Sequence, residues 1–203
     1  MELKPDILRK IYPQAKQSNL IAFCTTFNSL SWLHKMTDIL EVAAYLAQVG
    51  KETLELTYRE EIASGKDYEG RKDLGNTTKG DGIKFKGRAY LQLTGRFNYT
   101  QFTKWYNAMF KESQDFVSYP ERISQDVALC QIASLWFWIT KGLKKISLSG
   151  DIVAVSKKVN GGKNGLVERI SYYNLAIKVL KSIQQVPSEI ITPESDKVKK
   201  HDT

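Results

Sequence analysis

The sequence has few of the residues that most often carry metal or nucleophilic chemistry. Cys24 and Cys130 are its only cysteines, and His34 and His201 its only histidines. Two cysteines without a CxxC spacing exclude a disulfide framework. Two histidines, one of them near the C-terminus, leave no His/Cys metal set and no Cys–His or Ser–His catalytic pair. No metal site is therefore expected. Long apolar runs are also missing. The longest, Val127–Ile139, falls short of the ~20 residues that span a bilayer, so no membrane span is expected. The first ten residues carry Glu2, Lys4, Asp6, Arg9 and Lys10 and lack the apolar stretch of an ordinary secretory signal. No internal repeat is present. Whatever chemistry the chain performs falls to carboxylates, hydroxyls, amides and arginine.

What is present is an ordinary globular composition in 203 residues, with a formal net charge of +8. That length predicts one domain, residues 1–185, with a polar tail over 186–203 where Pro, Ser, Glu, Asp and Lys dominate and disorder is expected. The positive balance suits a polyanionic partner such as nucleic acid, anionic lipid or an acidic cell wall. Solubility alone accounts for such a charge equally well.

Apolar spacing predicts a mainly α-helical chain. A short helix begins at Pro5 and is interrupted at Pro13. A second runs from Asn19 to Trp32. A third follows Thr37, with Asp38 and Glu41 as a capping-box start. That third helix is apolar around most of its girth, the pattern of a buried helix. Its one polar stripe holds Glu41, Tyr45, Gln48 and Glu52. Residues 57–81 read as a long polar loop, with Asp81-Gly82 as a turn. Further helices are expected over Phe97–Phe110, Ser124–Thr140, Asp151–Val159 and Val167–Ile183.

Three constellations are candidates for chemistry. The first is Glu52 with Glu61, nine residues on. A carboxyl at the end of a buried helix has the apolar surroundings that suit a general acid; it also fits a solvated Glu at a fraying end. Glu55, Glu60 and Glu69 compete with Glu61 for the second role. The next is Gln92, Thr94 and Asn98, whose amides and hydroxyl could hold a water and N-acetyl groups. Thr94 or Gly95 could equally cap the following helix. The last is Asn160-Gly161-Gly162 with Arg169. It lacks the pattern of a nucleotide-binding loop, and a helix–helix connection needing positive φ is the plain alternative.

Together these pieces resemble the plant-type chitinase family, glycoside hydrolase family 19, especially its bacterial and phage lysozyme-like branch. The family pattern F-L-A-Q-x-x-H-E corresponds to Tyr45-Leu46-Ala47-Gln48-Val49-Gly50-Lys51-Glu52. G-R-G-x-I-Q-L-T-G-x-x-N-Y corresponds to the run from Gly87 to Tyr99, A-x-W-F-W to Ala133–Trp138, and I-N-G-G-x-N-G to Val159–Gly165. Order and spacing agree over about residues 5–182.

The resemblance implies a mainly α, two-lobed lysozyme-like fold with the active-site cleft between the lobes. It implies inverting hydrolysis of a β-1,4-linked N-acetylglucosamine-containing glycan without a cofactor. It makes Glu52 the general acid and Glu61 the general base, and has Thr94 hold the attacking water. Gln92, Asn98 and Asn160 would line sugar sites, and Arg169 would support the acidic centre. The departures are Lys51 where the family has His, Thr53-Leu54-Glu55 where it has a small residue and two glycines, and a shortened insertion at 62–69.

The leading expectation is a peptidoglycan-cleaving muramidase, an endolysin or an antibacterial toxin. A chitinase is the alternative, and a catalytically weakened glycan- or nucleic-acid-binding module a further one. Glycan strands are the expected partner rather than nucleic acid, with an immunity or delivery protein as a possible second partner and a monomeric state. Synthesis in the cytoplasm, followed by action on the periplasmic cell wall after holin- or secretion-dependent release, is the corresponding expectation for location.

Overall fold

The computed structural model describes residues 2–184, so the tail expected over 186–203 lies outside the described residues. Within the described residues eleven α-helices follow one another: α1 (Pro5–Ile11), α2 (Gln17–Ser29), α3 (Ser31–His34), α4 (Ile39–Thr53), α5 (Asp81–Lys84), α6 (Arg96–Phe110), α7 (Arg122–Gln125), α8 (Val127–Thr140), α9 (Leu143–Ser147), α10 (Ile152–Asn160) and α11 (Leu166–Gln184). Among the described residues there is no strand, only isolated bridges pairing Glu60 with Arg88 and Arg88 with Leu93. The fold is mainly α and lysozyme-like, with a cleft between two lobes.

Helix α4 is the centre of the molecule. Its residues from Glu41 to Gly50 are all buried. It packs chiefly along α11, with α9 and α10 on its flank. Leu46 and Val49 are fully enclosed, and burying a side chain of that size contributes about 1.5–3 kcal/mol. The helix starts where the Asp38 carboxylate accepts the Leu40 N–H at 2.7 Å. Glu41 does not complete a capping box. It is turned inward to accept the Trp138 indole N–H at 3.2 Å, with the Lys144 ammonium at 3.5 Å. Burial pushes its carboxyl above the usual range in spite of both partners.

The polar stripe expected on α4 is therefore an internal one. Below Glu41, the Tyr45 hydroxyl accepts from Gln131 at 2.7 Å. Below that, the Gln48 amide donates to Ser156 at 3.2 Å. Only the last member, Glu52, reaches an opening, with about a fifth of its side chain exposed. The upper two rungs bond to α8 through Trp138 and Gln131, and the lower two to α10 and α11 through Ser156 and Arg169, which fixes the rotation of α4 about its own axis.

Other boundaries differ from expectation for local reasons. The helix expected over Ser124–Thr140 is divided, because the Asp126 carboxylate accepts the N–H groups of Ala128 and Leu129 and so starts α8 afresh. The helix expected over Asn19–Trp32 starts earlier and is divided at Leu30. Asp81-Gly82 opens the short α5 rather than forming a simple turn. Asp81 is buried there against Arg96, whose hydrogen bond holds its carboxyl below the usual range despite burial. The long polar stretch contains two single 3-10 turns, Lys66–Tyr68 and Lys72–Leu74.

Candidate functional site

Glu52 and Glu61 line one hollow of about 270 Å³, shared with Tyr58, Glu60, Ile62, Ala63, Ala89 and Gln92. A second, smaller hollow of about 170 Å³ also has Glu52 and Gln92 in its wall, together with Thr94, Phe137, Val159 and Asn160. The two hollows meet at Glu52 and Gln92, which stand in the walls of both. The structure thus gathers five of the seven expected site residues around them: Glu52, Glu61, Gln92, Thr94 and Asn160.

Glu52 is held from α11. Arg169 donates from Nη2 to Glu52 Oε1 and from Nη1 to Gln48 Oε1. Arg169 is almost fully buried, so one guanidinium ties the last two rungs of the α4 stripe together. This places Arg169 behind the carboxylate rather than in the cleft wall. Lys51 carries its ammonium to Glu168 at 3.0 Å.

Glu61 is held by the opposite wall. Its Oε1 accepts the Gly87 N–H at 2.9 Å and its Oε2 the Tyr68 hydroxyl at 2.9 Å. Its own N–H donates to the Gly87 carbonyl at 2.9 Å. Gly87 is needed for its size. A Cβ there would stand 2.7 Å from Gln92 Oε1 and 3.2 Å from Glu61 Oε2.

The competing carboxylates are committed elsewhere. Glu60 meets Lys86 at 2.6 Å and Arg88 at 3.0 Å, and accepts the Ser124 hydroxyl at 2.9 Å. Burial opposes ionisation of Glu60, but Lys86, Ser124 and Arg88 together outweigh it and hold the carboxyl below the usual range. Glu69 accepts the N–H groups of Gly80 and Gly82 at 2.7 and 2.9 Å and so closes the polar loop. Glu55 is buried outside the cleft, accepting the Gln14 N–H at 2.6 Å and the Tyr172 hydroxyl at 2.9 Å.

Thr94 does not cap α6. Gly95 occupies that position with no side-chain cap, and the Thr94 side chain is left to the cleft. The Asn98 amide donates to the Thr94 carbonyl at 2.7 Å. Asn98 lines a neighbouring hollow with Phe97, Gln101, Trp105, Trp136, Thr140 and Lys141, and is not in the same cavity as Glu52. Asn160 ends α10, and Gly161 follows it at φ 72°, a left-handed residue that glycine accepts without cost. The glycine-rich stretch is thus a helix–helix connection, and Asn160 bonds across it to the Asn164 carbonyl at 3.2 Å.

Several site features escape a reading of residue types. Gly87 and Tyr68 hold Glu61, Gly87 through its backbone N–H and Tyr68 through its hydroxyl, and neither belongs to a catalytic pattern in the sequence. Ala89 stands at φ 78° where the family pattern has glycine. After Glu52 the chain turns through Leu54, Glu55 and Leu56, all at positive φ between 49° and 65°. Such a conformation costs about 1–2 kcal/mol per L-residue. Part of that is offset by the Thr53 hydroxyl accepting the Leu56 N–H at 2.7 Å and by Asn19 donating to the Leu56 carbonyl at 2.9 Å. Among the described residues, no cluster of three or more His, Cys, Asp or Glu side chains is placed to hold a metal ion, and no helix is long and apolar enough to cross a membrane.

Comparison with known proteins fits this geometry. A Haemophilus influenzae glycosyl hydrolase family 19 domain-containing protein is 25% identical over 195 residues, covering 81% of this chain and 90% of its own length. Chitinase 5 of rice, Oryza sativa subsp. japonica, is 31% identical over 141 residues, 66% of this chain. The match spans about half, 46%, of the rice protein. Two solved structures share the fold at a TM-score of 0.68: chitinase C from Streptomyces griseus at 18% identity and a class IV chitinase from Zea mays at 20%. Each superposition covers 88% of this chain and 92% of the other. The family described as Chitinase class I matches residues 17–181. The chain belongs to that family, glycoside hydrolase family 19, and is a chitinase-like glycoside hydrolase.

Proposed function

We propose that the chain cleaves β-1,4 glycosidic bonds of peptidoglycan by an inverting mechanism. Glu52 acts as general acid on the leaving oxygen and Glu61 as the base that activates water. The observation that carries this reading is that Glu52 and Glu61 face one hollow from separate supports, α4 and the loop pinned to Gly87. An inverting enzyme needs a water between sugar and base, and its carboxyls stand ~6.5–9.5 Å apart to leave room. A hollow of about 270 Å³ can admit part of a sugar ring with a water, whose share of liquid volume is about 30 Å³.

The remaining residues have supporting parts. Thr94 presents a hydroxyl to the water. Gln92, between the two hollows, and Asn160 offer amides to N-acetyl groups. Asn98 serves sugars further along, where Trp105 and Trp136 add aromatic surface. Arg169 steadies Glu52 and neutralises the carboxylate left after proton transfer.

The net charge of +8 supports a cell-wall substrate, since bacterial walls are anionic. The high coverage of a bacterial relative points the same way. On this reading the enzyme meets its substrate in the periplasm after release from the cytoplasm, and an immunity or delivery protein is a natural partner. Chitin is the second reading, favoured by the names of the plant and Streptomyces relatives. Mass spectrometry of products from purified sacculi and from chitin oligomers decides between them. Muropeptides ending in reducing N-acetylmuramic acid are expected. Products from chitin oligomers alone overturn the peptidoglycan reading. NMR of the first-formed anomer tests inversion, and a β product from the β-linked substrate refutes it.

A further inference from the structure

We propose that Glu55 is a positioning residue for the Glu52–Glu61 pair, latching the left-handed turn that joins their supports; the proposal rests on the reading of that pair as acid and base. The turn is the covalent link between the two walls. Glu52 lies at the end of α4, and Glu61 follows the turn in the loop that bonds Gly87. Leu54, Glu55 and Leu56 hold positive φ in succession without a glycine among them. A conformation that L-residues disfavour persists only where the surroundings over-determine it.

The Glu55 side chain supplies the part of that constraint that reaches beyond the turn to both α11 and the α1–α2 connection. It is buried, and its two oxygens are taken by two different segments: Oε2 by the Gln14 N–H between α1 and α2, Oε1 by the Tyr172 hydroxyl on α11. The pairing with α11 is in register with the pairing of the acid. Glu52 and Glu55 are three residues apart, as are their partners Arg169 and Tyr172. One face of α11 therefore sets both the carboxylate at the helix end and the turn that follows.

Glu55 does not reach the cleft. It lines a separate groove with Ile11, Pro13, Leu54 and Tyr172. Its effect on turnover must pass through the turn. Glu61 keeps its own anchors on Gly87 and Tyr68, so releasing the turn loosens the distance between the two walls without unfolding either.

Glu55→Gly and Glu55→Ala separate latch from spacer. Glycine relieves the left-handed strain yet has no carboxylate; alanine keeps the strain and also lacks it. Glu55→Gly is expected to melt at a higher temperature than Glu55→Ala. Both should lose ~10–100-fold in kcat, the cost of a slightly misplaced catalytic group, with KM little changed. Tyr172→Phe removes one of the two bonds and should fall between them and the parent. Amide hydrogen exchange at Leu56 and Tyr58, whose N–H groups bond within this turn, should quicken in Glu55→Gly, and this measurement needs no substrate. Parental kcat in Glu55→Gly, or unchanged exchange, overturns the latch. Glu52→Gln assayed alongside separates the two readings. An active Glu52→Gln refutes the acid assignment while the exchange result still decides on Glu55.

Discussion

Glu60 and Glu61 are adjacent in the chain and bonded to different partners. Glu60 is claimed by Lys86, Arg88 and Ser124. The Glu61 carboxylate accepts from the Gly87 N–H and the Tyr68 hydroxyl and lines the hollow with Glu52. A single residue step thus separates a carboxylate paired with two cations from one held by a backbone N–H and a hydroxyl.

Substitution should separate them. Glu61→Gln and Glu52→Gln keep the side-chain shape but cannot exchange the proton. Each is expected to lose at least the ~10²–10⁴-fold that acid–base catalysis supplies, with glycan binding retained. Glu60→Gln leaves Arg88, only 8% exposed, without its charge partner. Leaving such a group under-satisfied costs about 1–3 kcal/mol, so the midpoint of unfolding should drop while turnover at low temperature stays close to parental. Steady-state kinetics and thermal melts on the three variants check this. A fully folded, inactive Glu60→Gln beside an active Glu61→Gln would move the base by one residue.

The sequence made the frame of this site readable because its signals are local. Period and girth marked α4 as buried, and the Gln92–Asn98 and Asn160–Arg169 blocks marked the facing walls. What stayed hidden depends on long-range contacts. Nothing near Glu41 announces that it turns to Trp138, 97 residues away. Nothing near Glu60 announces Ser124. The division of the helix at Asp126 was legible in principle, since Asp126 stands directly ahead of the apolar run that begins at Val127 and an Asp there is a start signal. The left-handed turn at Leu54–Leu56 is not announced by its own residues, none of which favours that conformation; its one signal is the pair of glycines that the family pattern has at 54 and 55.

Arg169 offers a second test. Its side chain is 3% exposed and bridges Gln48 to Glu52. Removing one partner of a buried ion pair costs ~3–5 kcal/mol. Glu52 is partly solvated, so the lower end is expected for Arg169→Ala, about 3 kcal/mol. Arg169→Lys keeps charge but cannot span both acceptors from one planar group, and should retain more stability than activity. Chemical denaturation and kcat on the same preparations test this. Parental kcat in Arg169→Lys would remove Arg169 from the acid's support.

His34 predicts how stability responds to acid. Its Nδ1 accepts the Met36 N–H at 2.9 Å, so Nε2 is assigned as donor to the Phe27 carbonyl at 3.0 Å. Burial depresses its pKa, with the Lys144 cation adding to this against the Phe27 carbonyl. Protonating Nδ1 would set two N–H donors against each other. A group favoured neutral in the folded state binds more protons when unfolded, so its contribution is complete above the unfolded value of about 6.5 and is lost as pH falls through the lower folded value. The melting temperature should therefore begin to decline below about pH 6.5, and this phase should vanish in His34→Gln. A melting temperature flat down to the carboxylate range would contradict it.

Gly87 gives the sharpest test of the site, because it has no functional group to lose. Its backbone both gives to and takes from Glu61, N–H to Oε1 and carbonyl from the Glu61 N–H, each at 2.9 Å. Its φ does not lie in the left-handed region that alanine resists, so Gly87→Ala carries no backbone strain. The added Cβ would meet Gln92 Oε1 at 2.7 Å and Glu61 Oε2 at 3.2 Å. The first contact is too close for any real Cβ, and the atom it meets ends a flexible side chain. The fold should survive, and the amide and the carboxylate should be pushed aside together. A displacement of about 1 Å in a catalytic group can cost ~10²-fold, so kcat should fall by that order while the melting temperature stays near parental. KM should rise as well, because Gln92 is read as a sugar contact. Shifts of both side chains in a crystal structure of the variant would tie the loss to geometry. Parental kcat with Gln92 displaced would mean that Gln92 is not needed for turnover and that Glu61 has slack the present arrangement does not suggest.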